Sequence, residues 1–259
     1  MLNVKNLSTY FYQEGAAVKA VKDVSFSVGK GEILGILGES GSGKSTIAHS
    51  LLRLIYPPGK IVSGEIIFNG QDLLKLSEEA MIKIRGAKIS MVFQDPFASL
   101  NPVYTVGDQI AEAIKLHQGL KRKEAWDKAV QMLDTVHIKD PRARAHDYPH
   151  QFSGGMRQRA MIAMALACQP ELLIADEPTT ALDVTIQAEI LRLIKEIQAE
   201  FNLSVVYITH NFGIIKALCQ NVIVLYKGKL VEEGRVEEVI SFPQNDYTKR
   251  LIACLEVLK

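Results

Sequence analysis

The chain is poor in several things, and each scarcity removes a class of function. It has three cysteines in 259 residues, Cys168, Cys219 and Cys254. They are far apart, odd in number and lack C-x-x-C spacing. That argues against a disulfide framework or a zinc site and fits a reducing compartment. Neither sign of charge is in excess: 30 Lys and Arg face 29 Asp and Glu, a net of +1. A broad nucleic-acid surface carries a clear basic excess, so no nucleic-acid partner is expected. The short run Lys121-Arg122-Lys123 reads as a solvated helix start. No apolar run approaches the ~20 residues of a spanning helix. Met1-Leu2-Asn3-Val4-Lys5 shows no charged region followed by an apolar stretch, so no signal peptide is expected. A membrane role would therefore run through partners. Internal repeats, low-complexity tracts and long linkers are also missing.

What is present is an ordinary globular composition, 47% hydrophobic and 23% charged, enough for one large domain or two small lobes. From about Leu2 to Val28 the pattern is β-like and largely alternating. Glu32 to Leu37 is a short apolar run, as in a buried parallel strand. A helix is expected from about Lys44 to Leu54, ended by Pro57-Pro58-Gly59. Gly64 to Asn69 reads as a strand with a turn at Asn69-Gly70, and Ile89 to Gln94 as a buried strand. From Val106 to Val136, which includes the only tryptophan, Trp126, the pattern is helical. Strand 172–176, helix 184–200, strand 204–208, helix 212–219 and strand 222–226 then alternate, which indicates a mainly parallel sheet. Ile186, Ile190, Leu193, Ile194, Ile197 and Phe201 share one helical face, a core stripe.

Four places carry chemistry. Gly38-Glu39-Ser40-Gly41-Ser42-Gly43-Lys44-Ser45 fits G-x-x-x-x-G-K-[ST]. Its glycines let the backbone wrap phosphate, with the amides of Gly41, Gly43 and Lys44 turned inward. Lys44 neutralises β- and γ-phosphate charge, and Ser45 offers its hydroxyl to Mg²⁺. The motif follows an apolar strand and opens a helix, which sets it apart from a chance glycine-rich turn. Asp176 and Glu177 end a strand; one acid can face the metal while the other, on the opposite side of a continued strand, faces an attacking water. The bland alternative is an acid pair that merely caps the sheet. His210 follows another strand end, on the sheet edge where such folds bind ligands. Phe152-Ser153-Gly154-Gly155-Met156-Arg157-Gln158-Arg159 is a Ser-Gly-Gly turn opening a basic helix. The remaining five histidines keep a bland reading. His146 and His150 are four apart, but Tyr148-Pro149 argues against the helix a paired metal site needs.

On these motifs the chain resembles the ATPase subunit of an ABC transporter over nearly its whole length. The resemblance implies an α/β fold: a phosphate-loop, RecA-like core with a mainly parallel sheet, an N-terminal antiparallel β subdomain and an inserted α-helical subdomain. It implies one ABC ATPase domain over 1–259. The core is placed at 1–95 and 160–240, the helical subdomain with the Ser-Gly-Gly segment at 96–159, and a short tail at 241–259. It implies ATP binding by Gly38 to Ser45 and Thr46, with Phe11 stacking on adenine; Tyr10 and Tyr12 flank it, one residue away. Glu177 is then the general base, His210 the γ-phosphate contact that orients it, and Gln94 the glutamine that touches Mg²⁺ and the attacking water. Ser45, Gln94 and Asp176 would hold Mg²⁺. Ser153, Gly154, Gly155 and Asp183, the last within Ala181-Leu182-Asp183, would act on ATP held by the opposite subunit. The usual spelling of the Ser-Gly-Gly segment has Leu first and Gln last; Phe152 and Met156 stand there instead, and Met cannot make glutamine's hydrogen bonds.

Wording narrows the group. Phe93-Gln94-Asp95-Pro96 with Ser99-Leu100-Asn101-Pro102, Tyr148 to Arg159, and Asp246-Tyr247-Thr248-Lys249-Arg250-Leu251 resemble the peptide and nickel importers. The short length leans slightly toward nickel or metal-chelate members. The implied partners are a second ATPase subunit (a paralogue in preference to a second copy), transmembrane permease subunits and an extracytoplasmic solute-binding protein. The implied place is the cytoplasmic face of the cell membrane, peripherally bound. The competing readings are a catalytically weak regulatory ABC subunit and a soluble, non-transport ABC ATPase. Intact Lys44, Asp176, Glu177 and His210 speak against the first, and the lack of a long coiled-coil insertion speaks against a chromosome or repair type of the second.

Overall fold

The computed structural model describes residues 1–13, 16–95, 99–180 and 182–256. Pro96 and Ala181, both within motifs singled out above, lie outside them. The chain divides into two compact units, Met1–Met81 with Ser204–Lys259, and Ile82–Leu203.

The first unit holds two sheets. One is antiparallel, β2-β1-β4-β5, from β1 (Leu2–Gln13), β2 (Ala16–Val28), β4 (Gly59–Phe68) and β5 (Gln71–Asp72). The strand expected from Gly64 begins five residues earlier. Its outer half pairs with the far end of β1, Phe11 opposite Gly59 and Ser8 opposite Ser63. Gly64 marks an irregularity within the strand rather than its start: at φ 113, a side chain there would lie 2.6 Å from Leu7 Cα.

The other sheet of this unit runs β10-β9-β3-β8, from β3 (Ile33–Leu37), β8 (Ser204–Thr209), β9 (Asn221–Tyr226) and β10 (Lys229–Arg235). β3 is parallel to both β8 and β9. Every residue of β3 and β8 is buried, as expected of parallel strands covered on both faces. β9 and β10 form a hairpin with Tyr226 opposite Lys229. Its two-residue turn, Lys227-Gly228, has both φ positive, at 46 and 78, which matches the right-handed twist of the strands. Gly228 sits in a backbone crossing: its carbonyl accepts from Lys22 N–H at 2.7 Å and its N–H donates to Ser42 O at 3.0 Å. Helix 44–51 stops three residues short of expectation, because Arg53 adopts φ 52. Helix Val236–Ser241 ends where the region read as a tail begins, and helix Asp246–Glu256 occupies that region. Val236, Val239 and Tyr247 pack with Leu37, Phe212, Ile215, Val222 and Val224 in one core cluster.

In the second unit β6 (Ile89–Val92) pairs in parallel with β7 (Leu172–Asp176). Helices Val106–Gln118 and Arg122–Thr135 form the expected helical stretch, interrupted at Gly119, which takes the left-handed φ of 64 that ends a helix. Helix Gly154–Leu166 follows. Helix Val184–Phe201 buries Ile190, Leu193, Ile194 and Ile197 of its predicted stripe and ends at Asn202, φ 48. No described helix is long and apolar enough to cross a membrane.

Candidate functional site

In the first unit, Leu37 at the end of β3 lies opposite Thr209 at the end of β8. Gly38 and His210 therefore leave the same sheet edge. The loop from Gly38 closes on the helix that starts at Lys44. Gly43, at φ 106, has no room for a side chain, since a Cβ would strike the Ala20 carbonyl; one at Gly38 would strike the Leu225 carbonyl. Lys44 is only 5% exposed. Its ammonium donates to Gly38 O at 2.8 Å and to Glu39 O at 2.9 Å. The loop's own backbone closes with Ser42 N–H to Glu39 O at 3.1 Å and Ile47 N–H to Gly43 O at 3.0 Å. No acidic residue occupies the first helical turn, where Ser45 and Thr46 lie half-buried, so the helix's own residues leave its positive end open to an anion. Glu39 and Ser40 are exposed, and Gly41 has open space around its Cα. Ser42 Oγ is buried with no hydrogen-bond partner among the described residues. The arrangement fits a polyphosphate: an anion would draw the ammonium from two neutral carbonyls and meet backbone N–H groups.

Phe11 lies half-buried on β1 against Gly59, where an added Cβ would come within 2.6 Å of its ring. Lys19 sits over the Tyr10 ring at 5.6 Å, and Tyr12 is 50% exposed.

In the second unit, Val92 of β6 lies opposite Ala175 of β7, so Gln94, Asp176 and Glu177 leave one edge together. Asp176, the last strand residue, is 4% exposed. Glu177 does not continue the strand. It turns at φ 44, so its direction is set by a left-handed turn and not by strand alternation. Thr180 secures that turn: its hydroxyl donates to Glu177 Oε2 at 3.0 Å and to Glu177 O at 3.2 Å. Gln94 Nε2 stands 3.5 Å from the same carboxylate oxygen, a long contact. The structure thus brings Gln94 and Glu177 together. Thr180 was missed in the sequence; a hydroxyl three residues beyond the acid is its only signal.

Ser153 caps helix Gly154–Leu166, its Oγ accepting from Met156 N–H at 3.3 Å. The first turn of that helix has no acid either. Gly155 is where two helices nearly touch: a Cβ there would lie 2.8 Å from Ile186 Cγ2. Phe152 is 2% exposed, so its ring is core, while Met156 is half-buried. Asp183 caps helix Val184–Phe201 through Oδ1 to Ile186 N–H at 3.0 Å. His146 packs on Trp126 and His150 on Tyr148. Among the described residues no group of His, Cys, Asp and Glu could hold a metal by itself.

A family model described as ABC transporter matches residues 21–180. The chain belongs to the ABC transporter family. As a member of it, this ABC subunit is an ATP-binding ATPase whose hydrolysis is coupled to transport. It is 54% identical over 97% of its length to a protein of Sinorhizobium fredii named as a probable peptide ABC transporter ATP-binding protein, of which it covers 76%. It is 49% identical over 98% of its length to the dipeptide transport ATP-binding protein DppD of Escherichia coli, covering 78% of that protein. Its fold matches the ATP-binding cassette MJ0796, solved as a dimer in a post-hydrolysis state with ADP and Pi. There the TM-score is 0.81 at 30% identity, over 91% of this chain and 99% of that one. The ABC subunit thus has the expected α/β architecture, with an antiparallel sheet, mainly parallel strands and helices.

Proposed function

We propose that this ABC subunit hydrolyses ATP to energise the import of peptides. The observation that carries the reading is the buried Lys44 ammonium folded onto the Gly38 and Glu39 carbonyls at a helix start. In this reading Gly38 to Thr46 wrap the phosphates and Lys44 moves from its carbonyls to the β- and γ-phosphate. Phe11 stacks on adenine. Ser45, Asp176 and Gln94 would hold Mg²⁺, and their hydroxyl, carboxylate and amide oxygens are the hard donors that ion takes. Mg²⁺ would supply charge neutralisation on the phosphates. Glu177 takes a proton from the attacking water as it adds in line to the γ-phosphorus, while the bond to the β–γ bridging oxygen breaks and ADP leaves. Thr180 holds the carboxylate by one oxygen, and Gln94 presents its amide to the same oxygen. His210 contacts the γ-phosphate and orients Glu177.

Ser153, Gly154, Gly155 and Asp183 act on ATP bound by a second ATPase subunit, a paralogue in preference to another copy. Two subunits close on two ATP molecules and part after hydrolysis, and the nucleotide supplies the affinity difference between those states. The chain forms one ABC domain: a core at 1–95 and 160–240, a helical subdomain at 96–159 and a tail at 241–259. It works with permease subunits and an extracytoplasmic binding protein, on the cytoplasmic membrane face. The cargo reading follows the two relatives described above, which are named for peptide and dipeptide transport; their names lend nothing to the lean toward nickel drawn from chain length.

The test is uptake in a strain lacking this subunit, with a labelled dipeptide and labelled nickel, complemented by wild type or Lys44→Ala. Loss of dipeptide uptake, restored only by wild type, is expected. Full rescue by Lys44→Ala would sink the ATP-driven role, and loss of nickel uptake alone would sink the peptide cargo.

A further inference from the structure

The Gly38–Glu39 peptide is gripped at both ends. Its carbonyl, Gly38 O, accepts from the Lys44 ammonium at 2.8 Å. Its N–H, on Glu39, donates to the hydroxyl of Tyr247 at 3.1 Å. In a trans peptide these two groups point in opposite directions, so lysine and tyrosine sit on opposite sides of one plane. Tyr247 reaches this peptide from 208 residues away and lies outside the segment matched by the family model.

The tyrosine is itself firmly placed. It is 5% exposed and belongs to the core cluster that includes Leu37, the residue before the phosphate loop. Its ring lies on Tyr226, with centroids 4.2 Å apart. Its own N–H donates to Asn245 Oδ1 at 2.9 Å, and the N–H groups of Gln244 and Asn245 are held by the Glu232 carboxylate of β10 at 2.7 and 3.1 Å. Burial pushes the phenol pKa up, so the hydroxyl keeps its proton at neutral pH.

We propose that Tyr247 is a positioning residue of the ATP site, fixing the Gly38–Glu39 peptide so that the loop is already shaped when Lys44 is released to phosphate. The inference rests on the reading of Gly38 to Ser45 as the phosphate site. The physical reason is orientation. A flipped peptide would aim the Glu39 N–H at the ammonium and withdraw a carbonyl from it. The tyrosine acceptor opposes that flip, and the two hydrogen bonds polarise one peptide in the same sense. Without the acceptor the loop samples other orientations, and apparent affinity falls with the fraction that is correctly shaped. Glu177 is untouched, so the chemical step at saturating ATP should hold.

The experiment uses the purified full chain and a fluorescent ATP analogue with Mg²⁺. Tyr247→Phe keeps the ring and removes the acceptor. Its Kd is expected to rise about threefold to tenfold, the worth of one neutral hydrogen bond. Its hydrolysis rate at saturating ATP should stay within about twofold of wild type. Thr248→Val is the control on the same helix. Thr248 Oγ1 is buried with no hydrogen-bond partner among the described residues, and this variant should leave Kd unchanged. In the wild type, amide exchange at Glu39 should be slow although the residue is exposed, and fast in Tyr247→Phe. That measurement stands even if the variant folds poorly. An unprotected Glu39 amide in the wild type, or an unchanged Kd in Tyr247→Phe, would leave Tyr247 a packing residue only. Wild type that binds no more nucleotide than Lys44→Ala would overturn the phosphate-site reading and this inference with it.

Discussion

Replacing Glu177 by Gln separates chemistry from architecture. Glutamine has the same shape, and its amide oxygen can still accept the Thr180 hydroxyl that now stands 3.0 Å from Glu177 Oε2. The structural cost is one charge-assisted hydrogen bond exchanged for a neutral one, about 1 kcal/mol. For a chain of this size that is a drop of roughly 2–4 °C in Tm. The kinetic cost is different in kind, because an amide takes no proton from water. Loss of a general base slows a reaction by about 10²- to 10⁴-fold, or about 3–5 kcal/mol of barrier. The rate effect therefore exceeds the stability effect several-fold, and the two can be read in one preparation. Phosphate release at saturating ATP should collapse while ATP affinity and thermal unfolding stay near wild type. Hydrolysis within about threefold of wild type, at unchanged affinity, would remove Glu177 from the base role.

Two further outcomes follow from packing and burial. Gly155→Val should destabilise the chain by about 1–3 kcal/mol, because its Cβ meets a β-branched side chain that cannot swing aside. The added Ile186→Ala should recover part of that loss in a denaturant titration, and simple additivity of the two changes would deny the contact. Cys219 is half-buried at the residue level, but desolvation of its thiol pushes the pKa up to about 12, so it should resist alkylation. At pH 8 only about one thiol in ten thousand is ionised, against roughly a quarter of an ordinary thiol, so its rate should be about a thousandfold lower and climb about tenfold per pH unit. Mass spectrometry after timed iodoacetamide treatment measures it; alkylation at the rate of free cysteine would contradict the burial argument.

The parts of this chain that declare themselves in sequence are those whose physics is local. Ile33–Leu37 and the Leu172–Ala175 stretch before Asp176 are apolar on both faces and read as buried strands, and they are. The phosphate loop is legible because its glycines, lysine and helix start are consecutive. The hairpin of β9 and β10 is not, since Lys227-Gly228 lacks the Asn-Gly or Asp-Gly spelling that announces such turns. The final helix is not legible in the sequence because its buried face is anchored by Tyr247 to residues two hundred positions earlier. The turn at Glu177 is hidden from the sequence for a related reason. Its left-handed backbone is held by a threonine hydroxyl, and an alternation argument assumes a strand that has already ended.

The crossing at Gly228 bears on how this protein can be cut and re-spliced. Hairpin tips are ordinarily the first choice for tags, insertions and new termini. Here the tip is threaded between Lys22 and Ser42, one bond to each, and a Cβ added to Gly228 would lie 2.7 and 2.8 Å from the Lys19 and Ala20 carbonyl oxygens. An epitope placed there would be read out as lost nucleotide binding and mistaken for a defect in the active centre. The turn at Asn69-Gly70 offers the engineer a different prospect, since a Cβ on Gly70 would meet nothing within 4 Å. Two hairpins that look equally disposable on a topology diagram are therefore unequal as graft sites.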